Sequence, residues 1–346
     1  MKKMPIILSS FVLLSLSFYI NAQTIKSQYA IVNKIHLTGD GGWDYLTADE
    51  TTGRLYVSHS SMVQVVDTKT GSLAGTISNT MGVHGIALAP EFNKGFISNG
   101  GDASVTVFNL QTMDVIANMK VTGQNPDAIL YDPYSKKVFT FNGRSSNATV
   151  IDAKTDSVIA TIALEGKPEF AVTDNNGKIY VNIEDKNLIS VIYVKELKVE
   201  NNWNIKPGEE ASGLAIDNKT HRLFSVCRNK MMVVMNAENG QVITTLPIGE
   251  RCDGVKFDPG NRRAYSSNGD GTLTVVQEED NDKYSVLENV TTQLGARTLA
   301  VDLKTHHIFL STAEFGATPE ATTENPRPRR SIQPGTFVVL EVAPVK

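Results

Sequence analysis

The sequence has few cysteines, few aromatic residues and no excess of basic charge, and it lacks the common local catalytic motifs. Its 346 residues include two cysteines and 7% aromatic residues, and the formal net charge is −4. Binding to phosphate backbones requires a basic face or stripe, so nucleic acid is disfavoured as a partner. No Gly-rich phosphate loop, Gly-x-Ser-x-Gly elbow, His-Glu-x-x-His or Cys-x-x-Cys occurs, and the corresponding nucleotide, hydrolase, metalloprotease and thiol sites are not indicated.

Long apolar runs are also absent, apart from one at the N-terminus. Residues 5–20 form an apolar run after Lys2 and Lys3, and Ala22 follows shortly afterwards. This order is typical of a secretory signal peptide, and the run is shorter than the ~20 residues of a membrane-spanning helix. We predict that residues 1–22 are removed after Ala22, with an uncleaved anchor as the alternative. With no cysteine near the cut to carry a lipid, residues 23–346 would be periplasmic or secreted, without a membrane span, and with a net charge of −6.

A repeat of about 42 residues fills the rest of the chain. Each copy begins with a short apolar strand, has an aromatic residue about ten positions later, and in six of seven copies has Asp three positions after its start. The predicted inner strands begin near Leu46, Ile86, Ile129, Ala171, Leu214, Val255 and Leu299. The aromatic positions are Tyr56, Phe96, Phe139, Tyr180, Phe224, Tyr265 and Phe309. An aromatic residue in every copy establishes the frame.

Each copy consists of four short β-prone segments separated by polar turns, which is typical of a propeller blade. One blade cannot bury both faces of its sheet, so the copies must stack in a ring. The seventh copy has only three strands, the last at 336–340, while an unpaired strand at 29–35 precedes the first copy. We therefore predict an all-β, seven-bladed propeller in one domain, with the N-terminal strand completing the last blade.

Segments 54–58 (RLYVS) and 178–182 (KIYVN), with the Val-x-Asp turn at 65–71, resemble the YVTN repeats of the YncE-like exported propellers. The resemblance covers the whole mature chain and implies the fold and export rather than an activity. WD40 repeats are the competing assignment, but no copy ends its third strand in Trp-Asp.

Propeller geometry predicts one polar face. The connections into inner strands and the turns between second and third strands lie on the same side. The residue two positions before each predicted inner strand is polar in all copies: Asp44, His84, Asp127, Glu169, Ser212, Asp253 and Arg297. We call these the mouth residues, because they should surround the opening of the central channel. The second-to-third turns add further candidates for ligand binding, chiefly Asn142, Arg144, Glu184, Asn268 and Glu314.

The mouth residues change type from blade to blade, whereas the aromatic position does not. Such variation is what an asymmetric ligand requires, although ordinary loop polarity is the alternative. Three chemistries fit. His84, Asp127, Glu169 and Asp253 could hold one divalent metal ion. Arg144 and Arg297 could instead bind a carboxylate while acids and amides bond hydroxyl groups, as in an acidic sugar or lactone. In an enzyme, His84 would be the acid or base.

The loop at 315–335, in the seventh copy, is longer than any other turn. It contains four prolines together with Arg327, Arg329 and Arg330. Because turns between second and third strands lie on the side of the channel mouth, this loop should emerge beside the mouth. It could act there as a binding element or be a stiff surface loop without function.

Cys227 and Cys252 belong to adjacent blades on the same face. Export permits oxidation, so a disulfide is predicted, with two buried thiols as the alternative.

Two functions remain open from the sequence. The first is an exported, monomeric propeller that binds a small polar molecule or another exported protein at the channel mouth. The second is a metal-assisted lyase or hydrolase similar to the propeller lactonases and streptogramin lyases.

Overall fold

A computed structural model describes residues 27–280, 282–320, 322–323, 328 and 330–345. Within these residues there are 28 β-strands and two short 3-10 segments, Pro90–Phe92 and Glu184–Lys186. The predicted signal peptide lies outside the described residues, as do Arg327 and Arg329. None of the helices in the described part is long and apolar enough to cross a membrane.

The strands follow one another with almost no other secondary structure between them. In chain order they are β1 (Tyr29–His36), β2 (Trp43–Asp49), β3 (Arg54–His59), β4 (Met62–Asp67), β5 (Ser72–Ser78), β6 (Val83–Ala89), β7 (Lys94–Asn99), β8 (Ser104–Asn109), β9 (Val115–Lys120), β10 (Pro126–Asp132), β11 (Lys137–Asn142), β12 (Asn147–Asp152), β13 (Ser157–Ala163), β14 (Pro168–Thr173), β15 (Lys178–Ile183), β16 (Leu188–Tyr193), β17 (Lys198–Asn204), β18 (Ala211–Asp217), β19 (Arg222–Cys227), β20 (Met231–Asn236), β21 (Val242–Pro247), β22 (Cys252–Asp258), β23 (Arg263–Asn268), β24 (Thr272–Asp280), β25 (Lys283–Thr291), β26 (Leu299–Asp302), β27 (His307–Thr312) and β28 (Val338–Pro344).

The strands form seven antiparallel sheets of four strands each, and these are the seven predicted blades. Blades one to six take consecutive groups of four strands from β2 to β25, and blade seven has the order β26-β27-β28-β1. Each inner strand contacts the inner strands of the blades on both sides, so the ring is closed. The predicted closure is confirmed, since β1 pairs antiparallel with β28 from Tyr29 opposite Pro344 to His36 opposite Val338.

The strand boundaries differ from the prediction at two places. Inner strands of blades one to six begin three residues earlier than predicted, for example at Trp43 rather than near Leu46. The last strand is Val338–Pro344 rather than 336–340. The early starts arise from β-bulges, which interrupt the alternation of buried and exposed residues on which strand prediction depends.

The repeated sequence positions have structural roles. The seven aromatic residues all lie in second strands and are at most 2% exposed, and burial of each such side chain contributes about 1.5–3 kcal/mol. Five of the six repeated Asp residues end their inner strands and Asp174 directly follows its strand. All six accept hydrogen bonds from the following turn. Asp49 Oδ1, for instance, accepts from the Thr51 amide at 3.0 Å, and Asp258 Oδ1 accepts from the Gly260 amide at 2.9 Å. Such turns are the usual use of Asp before a tight connection.

Candidate functional site at the channel mouth

A β-bulge positions the mouth residue in six of the seven blades. In blade one, Trp43 pairs with His59 and Leu46 with Val57, so Asp44 and Tyr45 both lie opposite Ser58. The inner strands of blades two to six carry a shift at the corresponding place. A bulge redirects side chains and is common beside functional sites. Asp44, His84, Asp127, Glu169, Ser212 and Asp253 are therefore strand residues rather than loop residues, and only Arg297 precedes its inner strand.

Hydroxyl groups on second strands hold the bulges in place. The Ser58 hydroxyl accepts a hydrogen bond from the Asp44 amide and donates one to the Tyr45 carbonyl oxygen, each at 3.1 Å. Ser98 in blade two donates to the carbonyl oxygen of Asp127 in blade three at 2.5 Å. Ser267 makes the same contact from blade six to Arg297 of blade seven. The backbone at the mouth is thus fixed within and between blades.

The approach loops and the second-to-third turns are joined on one face, as predicted. The Ser60 amide donates to the Gly42 carbonyl oxygen at 2.8 Å, the Gly100 amide to Gly82 at 2.9 Å, and the Gly269 amide to Arg251 at 3.0 Å. The mouth residues and these turns therefore form a continuous surface.

His84 lies between two carboxylates from the neighbouring blades. Its Nδ1 is 2.5 Å from Asp44 Oδ2 and 3.7 Å from Asp127 Oδ1, and its side chain is 25% exposed. A Cβ atom at Gly100 would lie 2.6 Å from His84 Nε2, so this glycine leaves room for the imidazole. His84 is accordingly reachable from solvent but closely held.

The protonation of this cluster follows from its charges. Burial alone would lower the pKa of His84, but the hydrogen bond to Asp44 and the charge of Asp127 outweigh it and raise that pKa to about 9. Burial, with the charge of Asp44, raises the pKa of Asp127. At neutral pH the imidazole is therefore a cation that compensates two acids, rather than a free base.

Two further ion pairs continue the mouth. Lys167 Nζ is 2.5 Å from both Glu169 Oε1 and Glu184 Oε2 in blade four. Arg297 Nη1 of blade seven is 2.5 Å from Asp253 Oδ2 of blade six. Burial raises the pKa of Asp253 to about 6 although Arg297 opposes this shift. Partly exposed ionisable groups with strongly shifted pKa values, gathered at an opening, are typical of functional sites.

Aromatic side chains bridge the channel beside these charges. The rings of Tyr45 in blade one and Phe170 in blade four lie 5.4 Å apart, and because these blades are not neighbours the contact spans the channel. Lys256 Nζ lies 4.7 Å from the Phe170 ring centroid, and burial lowers the pKa of Lys256 to about 8. All three residues line a channel cavity of about 460 Å³. Burial and the charges of Asp127, Asp44, Glu169 and Asp253 raise the pKa of Tyr45.

The other sequence candidates divide into two groups. Arg144 and Glu314 are exposed on the mouth face, and Glu184 is part of the Lys167 cluster. Asn142 and Asn268 are fully buried instead. The Asn142 amide donates to Asn147 and Thr149, and the Asn268 amide donates to Thr272 and Thr274. The prediction that these two bind a ligand is therefore corrected: a turn-end position that looks exposed in sequence is covered by the third strand of its own blade.

Both cysteines are buried free thiols in the structure. Cys252 Sγ is 3.1 Å from the Cys227 carbonyl oxygen, so the two residues are neighbours but no disulfide joins them. Burial raises the pKa of each thiol to about 12, which makes both poor nucleophiles.

The predicted metal ligands do not all converge. Donor atoms of Asp44, His84 and Asp127 lie within 4.8 Å of one another, and this mixed N and O set suits a divalent ion that displaces the imidazole proton. Glu169 and Asp253 are instead engaged by Lys167 and Arg297.

Lys167, Tyr45 and Lys256 are site residues that were not predicted from the sequence. Lys167 precedes and Tyr45 follows a mouth residue, and the repeat frame could have suggested both. No local signal distinguishes Lys256, which occupies a position held by Thr47 and Ala87 in the first two blades.

Comparison with known proteins identifies the fold. No protein-family model and no curated protein matches the sequence. Among solved structures, Kuenenia stuttgartiensis hydrazine synthase is similar with a TM-score of 0.69 and 17% identity, over 80% of this chain and 94% of that chain. A chain of a mitotic checkpoint complex is similar with a TM-score of 0.72 and 10% identity, over 94% of this chain and 99% of that chain. At these identities the likeness shows the propeller fold alone.

Proposed function

We propose that this chain is an exported, YncE-like propeller that binds a small polar ligand at its channel mouth. The observation that carries the proposal is the cluster of partly exposed, paired charges beside an aromatic bridge. His84, Lys167 and Arg297 each neutralise acids at different points around the opening. Such an arrangement offers donors and acceptors on several sides of one molecule, which is how binding sites set the orientation of a ligand.

The chemistry of the mouth favours a ligand with hydroxyl groups and one carboxylate, such as a sugar acid. The carboxyl groups of Asp44, Asp127 and Glu169 can accept hydrogen bonds from the hydroxyl groups of such a ligand. A ligand carboxylate would bind Lys167 or Arg297 in competition with the existing acid partners. The export part of the proposal is supported by the charged and apolar pattern of residues 1–22.

Calorimetric titration with glucuronate and gluconate tests this function. We expect a Kd in the micromolar to millimolar range for at least one probe, and weaker binding by about tenfold in Lys167→Met and His84→Gln. His306→Gln is the matched control, because His306 forms a similar pair with Asp258 at 2.8 Å in a first-to-second turn, on the opposite face. Equal binding by wild type and both mouth variants would place the ligand elsewhere and contradict the proposal.

A second candidate function is metal-assisted lyase or hydrolase chemistry. It is favoured by one observation, the convergence of Asp44, His84 and Asp127 donor atoms within 4.8 Å. Elemental analysis of protein purified by export tests it directly. One divalent ion per chain, absent from His84→Gln but present in His306→Gln, would support it. No bound metal after incubation with calcium, magnesium and zinc would exclude it.

A further inference from the structure

A second cavity lies on the mouth face, beneath the start and end of the long loop of blade seven. It has a volume of about 840 Å³ and is bounded by approach loops and turns of blades five, six, seven and one. Its polar lining is dominated by Arg228, Arg251, Arg297 and Arg330, and its apolar lining includes Trp43 and Phe315. We call this space the arginine cavity. Of its residues, only Arg297 is also a mouth residue.

Two of the four guanidinium groups have carboxylate partners. Arg297 pairs with Asp253 at 2.5 Å, and Arg228 pairs with Glu210 at 2.8 Å. Arg330 donates from Nε to the neutral Thr318 hydroxyl at 2.7 Å, and no ion pair is formed by Arg251 within the described residues. The described lining includes no acidic residue. Among the described residues, Arg251 and Arg330 are therefore the two arginines of the cavity without a carboxylate partner, and an anion that enters the cavity would be attracted to both.

Arg251 has a left-handed backbone conformation. It has a φ of 57°, in the left-handed region, immediately before its inner strand. At the corresponding position blade two has Gly82, blade three has Asn125 and blade five has Glu210 with a φ of 48°, so several blades place a left-handed residue here. The Arg251 side chain is exposed and lines the cavity.

Two aromatic residues form the apolar wall of the arginine cavity and restrict the shape of the ligand that fits there. The Trp43 and Phe315 rings lie 6.0 Å apart, and the loop that carries Phe315 is anchored by the Gly316 amide, which donates to the Ser331 carbonyl oxygen at 2.9 Å. Guanidinium groups and aromatic rings can each stack on a planar group, so this lining favours a planar ligand.

We propose that the arginine cavity binds a small molecule with a doubly negative group and a flat apolar ring. Arg251 and Arg330 bind the anionic group, in the bidentate geometry that guanidinium offers to carboxylate or phosphate. Trp43 and Phe315 contact the ring. This inference does not rest on the sugar-acid function of the mouth.

Titration calorimetry with three probes at low salt tests the inference. Phthalate supplies two carboxylates on a ring, phenyl phosphate supplies a phosphate on a ring, and inorganic phosphate has the charge without the ring. We expect at least one ring-bearing probe to bind more tightly than inorganic phosphate, and the better of the two identifies the anionic group. We also expect its affinity to fall as salt increases.

Two variants and one control assign the binding to the cavity. Arg251→Asn removes the charge and suits the left-handed backbone, so the fold should be retained, and Arg330→Gln removes the second charge. Each should weaken binding by about tenfold. Lys136→Asn is the control, since Lys136 has a φ of 58° but lies in the first-to-second turn of blade three, on the opposite face. The inference is overturned if neither ring-bearing probe binds, if Arg251→Asn binds as wild type does, or if the control loses as much affinity.

Discussion

Replacing His84 by Gln should remove a pH-dependent part of the stability of this propeller. The substitution keeps a hydrogen-bond donor near Asp44 but abolishes the cation between Asp44 and Asp127. Because the folded protein raises the pKa of His84 from 6.5 to about 9, the protonated imidazole stabilises the fold. That contribution is fully present below pH 6.5 and is lost as the pH rises through 9.

The magnitude follows from the size of the shift. A change from 6.5 to about 9 corresponds to about 3 kcal/mol of unfolding free energy at the acidic end of the window. Other groups titrate in the same range, including Lys256, so the quantity to examine is the difference between the wild type and His84→Gln at each pH. This difference should be about 3 kcal/mol larger at pH 6 than at pH 10.

Urea unfolding at a series of pH values measures this difference, and histidine NMR titration gives an independent check. The His84 signal, assigned by its absence from the variant, should titrate near pH 9. Parallel stability curves for the two proteins, or a His84 signal that titrates near 6.5, would show that Asp44 and Asp127 do not hold the proton and would refute the reasoning.

Three further predictions concern the channel, the ring closure and the thiols. Lys256→Met should stabilise the protein by about 1–3 kcal/mol at pH 7, because it removes an ammonium group whose pKa is lowered by burial to about 8. In urea unfolding this gain in stability should vanish near pH 10.5, and a gain that persists there would contradict the explanation. Tyr29→Ala should cost about 3 kcal/mol and Tyr29→Phe about 1 kcal/mol, since Tyr29 is 1% exposed and its hydroxyl is 2.9 Å from that of Tyr265; equal losses would show that packing at the closure is unimportant. Cys227 and Cys252 should resist alkylation in the native protein at pH 8 and both react after unfolding, as counted by mass spectrometry without reduction; one oxidised pair would instead indicate a disulfide.

Local sequence was sufficient for the blades because each repeat carries its own structural information. The aromatic residue of each second strand is buried wherever it occurs. In six of the seven blades, an Asp at or directly after the end of the inner strand accepts hydrogen bonds from the next turn. The N-terminal strand could be assigned to blade seven because it was the one strand without a partner in a closed ring. The predicted starts of inner strands were less accurate, as at Trp43 and Val83, because a β-bulge interrupts the alternation of apolar and polar residues from which strands are predicted.

Local sequence also marked which residues approach the mouth, since each follows the repeat frame, but the pairings among them depend on the closed ring. Asp44, His84 and Asp127 come from three blades about 40 residues apart, and their contact exists because adjacent inner strands pack side by side. Lys167 forms an ion pair with Glu169, and Arg297 forms one with Asp253. The side chains of Asn142 and Asn268 form hydrogen bonds inside their own blades. Tyr45 contacts Phe170 across the channel, and four arginines line one cavity. The repeat, through residue type and spacing, determined the propeller, whereas tertiary packing decided the charges and cavities of its functional face, because those depend on distances between residues remote in sequence.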